Sequence, residues 1–364
     1  SMGQTKTSGD RIGPQNTLVP ILNPAWSYST GLSASVNVFD GGRRLSDLRA
    51  RKADEDVAEA NEVTTKFNVA LQVKTQYANI LAARESEAAA RAQLQQAEQQ
   101  LRTAAAKVAA GASTRSDSLR QVIQVGNARL ALLTAQNNLR TASAALTRLV
   151  GTPFFVTAQP SDTIDAPLPA IDSATLASLA SAGPTVQAAQ AALASARAAE
   201  RSSKTTYFPS VDLRYSRNGS GFDKYYGLGA GDLAYGSTWS LNLSYPLFNN
   251  FSREDAVLRT GVAVANAEAN LRDAQFAAQQ GIIQQFGALR TAEERVRIQQ
   301  ASVIAAQEDL RVQQQRYTLG ASTLLDVLTS QTTLDNARAA LIQARQDYRL
   351  ARAQIEAIIG RDLQ

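Results

Sequence analysis

The sequence predicts a mainly α-helical chain with a small β part built to cross a membrane, and three observations lead there. Only 6% of the 364 residues are aromatic, and long stretches consist of Ala, Gln, Arg, Leu and Glu, the composition of long helices packed through small side chains. The chain repeats itself at an offset of 209 residues. Ahead of each long helical run, apolar and polar residues alternate with period two, as in a strand whose two faces meet different surroundings.

The repeat is visible residue by residue. "GAST" at 111–114 returns at 320–323, "AEAN" at 58–61 returns at 267–270, and Asp117 falls on Asp326. "NARLAL" at 127–132 falls on "NARAAL" at 336–341, and "LVG" ending at Gly151 on "IIG" ending at Gly360. The offset does not slip between residues 39 and 151, so the helices of the two copies are matched in length.

The first repeat is predicted to occupy residues 1–151. It opens with a β-hairpin over 1–39, weak at its start because "SMGQTKTSGD" alternates poorly. Its second strand sets Trp26, Tyr28, Leu32, Ala34, Val36 and Val38 against Ser27, Ser29, Ser33, Ser35 and Asn37. A helix over 44–110 follows, 67 residues with neither Gly nor Pro, which at ~1.5 Å per residue is roughly 100 Å long. Gly111 sits where a left-handed C-terminal cap belongs, and Ser113 and Thr114 where the return helix 115–150 needs its N-cap. Residues 152–183 form a linker, Pro- and Asp-rich and non-helical as far as Leu176.

The second repeat, 184–364, adds a helix over 184–204 before its hairpin, 209–248. One strand alternates Val211, Leu213 and Tyr215 with Asp212, Arg214 and Ser216. The other sets Tyr235, Trp239, Leu241, Leu243, Tyr245 and Leu247 against Gly236, Thr238, Ser240, Asn242 and Ser244, and a loop rich in Gly and Tyr joins the two. The long helix 253–319, the tip 320–323 and the return helix 324–360 complete the copy. At the same offset, the counterpart of helix 184–204 falls before residue 1, so a chain without that N-terminal helix is expected.

Much chemistry is excluded at once. With no Cys and no His, thiol and imidazole chemistry and the commonest metal ligands are missing together. The formal charge of +5 is mild, and the densest basic run, Arg43 to Lys52, runs straight into Asp54, Glu55 and Asp56. That is a solvated or headgroup-facing helix start, not a nucleic-acid surface. "GLGAG" at 227–231 lacks the strand and helix that a phosphate loop requires. No catalytic residue, metal or cofactor is predicted.

Strands of about ten residues with one apolar face, tipped by Trp and Tyr, suit a transmembrane barrel. Trp26, Tyr28, Tyr235, Trp239 and Tyr245 are accordingly expected at the membrane interface, with Tyr225 and Tyr226 in the loop. The plain alternative is a soluble sheet with its apolar face on a core. So few strands cannot close a barrel alone, so several chains must share one.

The stretch "RYTLGASTLLDVLTSQTTLDNARAALIQA" (316–344), together with "FDGGRR", "LFNNFSRE" and "FPSVDL", resembles the TolC-type outer-membrane efflux and secretion channel proteins. The resemblance implies a homotrimer whose four strands per chain make a twelve-stranded barrel in outer-membrane lipid, continued by a long periplasmic α-helical barrel. It places 152–183 in an equatorial belt around that tunnel. A periplasmic adaptor (membrane fusion) protein would dock at the tips, Gly111, Ala112, Ser113 and Thr114 with Gly320, Ala321, Ser322 and Thr323, and an inner-membrane transporter would join through it. The implied function is the passive exit duct of a tripartite efflux pump or type I secretion system, with no enzymatic activity.

Asp117 and Asp326 each lie six residues after a tip glycine, where a trimer would gather acidic groups near one constriction. The resemblance supports a lumen-facing Asp326, and Thr329 stands where some relatives carry a second Asp, which implies a weaker acidic gate. Each Asp also suits the first turn of a helix by its charge alone. Arg115, Arg316 and Arg120 can tether the tips by breakable ion pairs to these carboxylates, the plain alternative for any one of them being a solvated surface charge. The second tip, "GASTLLDVLTS", is the expected moving gate, and the first, "GASTRSDSLRQ", the static wall and adaptor seat. The competing reading is a soluble periplasmic coiled-coil structural or adaptor protein.

Overall fold

A computed structural model describes residues 2–6, 10–12, 18–20, 26–159, 173–223 and 234–363. They belong to two compact units, Ser1–Glu55 with Ala192–Glu268, and Asp56–Ala191 with Ala269–Gln364. Six strands, β1 (Met2–Lys6), β2 (Asp10–Ile12), β3 (Leu18–Pro20), β4 (Trp26–Phe39), β5 (Ser210–Asp223) and β6 (Ala234–Ser244), lie in the first unit. The α-helices are α1 (Arg43–Ala109), α2 (Arg115–Val150), α3 (Ser173–Ala180), α4 (Pro184–Lys204), α5 (Ser252–Thr318) and α6 (Leu324–Ile359). Among the described residues no helix is long and apolar enough to cross a membrane. The predicted Tyr225 and Tyr226 lie outside the described residues.

The first unit is built on a four-stranded antiparallel sheet in the order β1-β4-β5-β6, and β2 pairs with β3 in a small hairpin of its own. Register decides what each face presents, because a one-residue slip would exchange the faces. Ala34 lies opposite Tyr215 and Tyr215 opposite Trp239; Val36, Leu213 and Leu241 form the next row. The other face carries Ser33, Ser216 and Thr238, then Ser35, Arg214 and Ser240, then Asn37, Asp212 and Asn242. A bulge between Asn37 and Phe39 brings Phe39 opposite Val211 and takes Val38 out of the ladder. β6 ends at Ser244, short of the predicted strand end, since Pro246 has no N–H to give the ladder; Tyr245 and Leu247 therefore lie beyond it.

The two strand-to-helix joints adopt the same backbone with different residues. Gly41 and Gly42 have φ of 68° and 81°, and the residues 209 further on, Asn250 and Phe251, have φ of 55° and 59°. Gly accepts this region freely, whereas a Phe there is strained. Phe251 packs edge-on against Phe248, ring centroids 5.5 Å apart.

In the second unit, α1 and α2 share a core of Ile80, Leu81, Leu146 and Ala158, and Gln76 donates to the Ala142 carbonyl. α5, α6 and α3 share a larger one, in which Ile282, Leu289 and Ala292 meet Tyr348, Ala351, Ile355 and Ile359, with Leu176 and Ala180 alongside. α3 corrects the expectation of a non-helical segment up to Leu176. Its Leu176 is only 2% exposed, and that burial outweighs the Pro- and Asp-rich character of the sequence before it.

Candidate functional site

Both hairpin turns are built alike. At the first, Gly111 is left-handed (φ 72°), and Ala112 N–H and Gly111 N–H close back on the Lys107 and Val108 carbonyls. At the second, Gly320 (φ 76°) does the same with Arg316 and Tyr317. These are Schellman-type ends, and they satisfy carbonyls that a helix terminus otherwise leaves open. Thr114 then caps α2 and Thr323 caps α6, each in a reciprocal capping box with the Asp three residues on.

The capping box settles where the two predicted gate carboxylates point in this chain. Asp326 Oδ2 accepts from Thr323 N–H at 2.9 Å, Thr323 Oγ1 at 2.7 Å and Ser322 Oγ at 3.0 Å. Asp117 Oδ2 accepts from Ser113 Oγ at 2.8 Å, Thr114 Oγ1 at 2.8 Å and Thr114 N–H at 3.2 Å. Donors favour the ionised form, so both pKa values are lowered: by the Thr323 N–H first for Asp326, and by the Ser113 hydroxyl first for Asp117.

Within the single chain, the described residues do not bring the tip arginines into ion-pair contact with these carboxylates. Among the described residues, Arg115 and Arg120 make no ion pair, and Arg316 extends only toward the Ala321 carbonyl at 3.5 Å. Each carboxylate is held by its own turn, and the charges of Arg120 and Arg316 act on Asp117 and Asp326 from a distance as the smallest of the influences that lower them. Thr329 bonds back to the Leu325 carbonyl within α6. Gly111, Ala112, Thr114, Gly320, Ala321 and Thr323 are exposed, and Ser113 and Ser322 are half-buried.

Beneath the turns the hairpins differ. Below the second, Leu324 and Val327 are buried, and Val327 joins Leu334, Ala306 and Leu310 in a cluster flanked by Val303 and Tyr317. The first has Arg115 and Ser118 in the places of Leu324 and Val327. Its buried positions recur every seven residues as Ala90, Ala97 and Ala104 on α1 and Gln121, Ala128 and Ala135 on α2. Gln121 is fully buried, and among the described residues neither of its amide atoms has a hydrogen-bond partner.

Between the two hairpins runs a ladder that the sequence did not reveal. Lys74 reaches Glu356 at 2.6 Å, Gln346 donates to Asn79 at 2.7 Å, Glu85 takes Arg345 and Arg349 at 3.2 Å each, and Gln93 donates to Asp335 at 2.8 Å. Nearest the tips, Lys107 Nζ donates to the Tyr317 carbonyl at 2.6 Å and lies 3.8 Å above that tyrosine's ring. Tyr317 O is also the acceptor in the second turn, so one side chain links the two Schellman ends. Burial is the leading influence on Asp335 and raises its pKa, against the hydrogen bonds from Gln331 and Gln93 and the charge of Arg338. A cavity of about 770 Å³ opens beside the ladder, lined by α1, α2 and α6 residues including Asn79, Ser86, Asn127, Gln343 and Gln346.

In the first unit, the apolar face of the sheet is bare. Leu32, Val36, Trp239, Leu241 and Leu243 are between 58% and 70% exposed. Tyr215 and Trp239 stack at 4.7 Å, Tyr235 lies across Gly219, and Trp26 and Tyr28 are half-buried on the same face. Tyr245, the remaining predicted interface aromatic, is 51% exposed just past β6.

A sheet bare on its apolar face, in a chain whose other unit is built of hairpins of very long helices, is the build of the outer-membrane channel proteins that extend into the periplasm. The family model described as outer membrane efflux protein matches residues 13–152 and 176–361, and the chain belongs to that family. It is similar to the pyoverdine export outer membrane protein OpmQ of Pseudomonas aeruginosa, at 28% identity over 349 residues, 90% of this chain and 68% of that one. It is also similar to the outer membrane efflux protein BepC of Brucella suis, at 24% identity over 335 residues, 90% of this chain and 72% of that one. Among solved structures, the outer membrane protein VceC of Vibrio cholerae matches with TM-score 0.76 at 17% identity, over 100% of this chain and 86% of that one. The open state of the MtrE outer membrane channel of Neisseria gonorrhoeae matches with TM-score 0.76 at 19% identity, over 100% and 81%. At these identities the structural likeness establishes the shared fold.

Proposed function

We propose that the chain is the exit duct of a tripartite export assembly, three copies pooling their sheets into one twelve-stranded barrel whose helical continuation is gated at the periplasmic tips. The observation that carries this reading is the bare apolar face of the sheet, Leu241 at 69% and Leu243 at 70% exposure, backed by a face of Ser, Asn, Asp and Arg. Lipid is the surroundings that favour the first face and a water-filled lumen the second. The duct is passive. Its energy comes from an inner-membrane transporter, its opening from a periplasmic adaptor at the GAST turns, and its cargo, small molecule or protein, is chosen by that transporter.

The ladder from Lys74 to Lys107 supports gating by parting of the hairpins, and Asp117 and Asp326 keep their charge at the entrance while they cap their helices. Asp326→Asn keeps an oxygen acceptor for Thr323 and removes the charge, so block of single-channel current by divalent cations in planar bilayers should weaken. Unchanged conductance and unchanged block would remove the acidic gate from the proposal. A soluble adaptor would require the apolar sheet face to be covered. Recovery of the protein in the soluble fraction without detergent would favour that reading and end this one.

A further inference from the structure

We propose that Arg217, held over the ring of Tyr235 on the outward face of the sheet, binds a phosphate of the lipids in the outer leaflet. The inference rests on the proposed reading that this face meets lipid. Arg217 shares its row with Leu32 and Ser237, so it stands on the apolar face, whereas Arg214 stands on the polar one. A guanidinium there is costly near the middle of a membrane and nearly free at its edge. Its level is therefore informative.

The helices continue from the Phe39, Ser210 and Ser244 ends of the strands, which makes those the periplasmic ends. Arg217 lies six residues beyond Val211 on β5, about 20 Å along the strand at ~3.3 Å per residue, or roughly 15 Å of depth at a barrel strand's tilt. Tyr215 and Trp239 stack one row below it, and Tyr235 lies one row above. The residue thus stands above the apolar Val36, Leu213 and Leu241 row and inside the aromatic rows, with Tyr28 and Trp26 two and three rows further out opposite Gly221 and Asp223, a level from which its long side chain reaches outward toward headgroup phosphates.

The local geometry fixes the side chain. A Cβ on Gly219 would come within 2.6 Å of Tyr235 Cε1 and 2.8 Å of Thr30 Cγ2, so Tyr235 can lie flat across β5 only because residue 219 is Gly. The guanidinium carbon of Arg217 is 5.1 Å from that ring's centroid. Among the described residues it forms no ion pair, so its donors are available to an outside acceptor. A planar guanidinium fork suits a phosphate in two-point contact better than an ammonium does.

Native mass spectrometry of the full chain in detergent tests this, with bis-phosphorylated lipid A, dephosphorylated lipid A and inorganic phosphate as probes. The wild type should prefer the phosphorylated lipid by about tenfold, Arg217→Gln should lose that preference, and Arg217→Lys should keep part of it. Millimolar inorganic phosphate should not compete. Equal binding of the two lipids, an unaltered preference in Arg217→Gln, or displacement by free phosphate would each overturn the assignment to a lipid headgroup. Binding of both lipids without regard to phosphate would leave the barrel reading standing, whereas a chain that binds neither and stays soluble without detergent would overturn both. Arg217→Lys, which keeps the charge, guards against a merely misfolded Gln variant.

Discussion

Two kinds of helix contact meet in the helical unit, and they follow opposite chemistry. Inside each hairpin the contact is mainly apolar, with alanines every seven residues in the first and Ile282, Leu289, Leu310, Val327 and Leu334 in the second, and few polar additions such as Gln76 to the Ala142 carbonyl and Arg295 to Asp347. Between the hairpins the contacts run through Lys74, Asn79, Glu85, Gln93 and Lys107 to polar partners. Apolar burial is lost whenever such surfaces part, at ~25 cal/mol per Å². Polar groups that part exchange protein partners for water, which offsets much of what is lost, although Arg349 and Glu356 are buried and their pairs are the firmest rungs of the ladder. On the proposed gating, the hairpins therefore stay whole and the boundary between them is what opens. The two tips sharpen the point, for the second, which the sequence marks as the moving one, has the firmer core beneath it. On the proposed gating, motion there is that of a stiff hairpin, not of a fraying turn.

The largest effect is expected inside a hairpin. Leu334 is 2% exposed within the second tip cluster, and Leu334→Ala should cost about 2–5 kcal/mol, read as a lower midpoint of the helical unfolding signal. A change near zero would mean that the cluster does not hold the hairpin together.

A smaller effect, and of another kind, is expected at the boundary. Lys107→Met keeps the stem and removes both the bond to the Tyr317 carbonyl and the charge over its ring, worth about 1–2 kcal/mol together. The unfolding midpoint should barely move while open probability in bilayers rises by about tenfold or less. Loss of stability without a change in gating would contradict the division drawn here.

The smallest effect is the response to pH. Burial raises the pKa of Asp335, so its contribution is withheld at neutral pH and gained as pH falls through its folded value. Asp117 and Asp326 behave oppositely: their lowered values mean that capping is complete above the ordinary carboxylate pKa and is lost only as pH falls through the depressed ones. Mild acid should therefore favour the closed state and stronger acid should loosen the turns. Asp335→Asn should flatten the first response and spare the second, as a titration of open probability would show.

Much of the fold was legible because its signals are local. Helical composition without Pro marked the long helices, and period-two alternation marked β4, β5 and β6. Strand β1 was faint, since it pairs only with residues 26–30 of β4 and shows little alternation of its own. Tyr245 was carried into the strand by its parity, although Pro246 ends the ladder there. At the turns, the Ser-Thr-x-x-Asp pattern pointed to a cap, and the structure gives both Asp residues that role and withholds the expected arginine pairs. The boundary ladder was missed for a physical reason. Asn79, Gln93 and Lys107 stand at fourteen-residue steps, yet polar residues on a helix look like a solvated face unless the neighbouring helix is known. Their step, matched to the seven-residue step of Ala90, Ala97 and Ala104, was the available signal.

The central claim, that the chain opens between its hairpins and not within them, is tested most directly by stapling. The chain has no cysteine of its own, so Gln93→Cys with Asp335→Cys can be bridged by a cleavable bismaleimide, and Ala97→Cys with Ala128→Cys treated alike as the within-hairpin control. Adaptor-stimulated conductance in bilayers should be abolished by the first staple, restored when it is cleaved, and unaffected by the second. Full conductance with the first staple in place, or its loss with the second, would contradict the account.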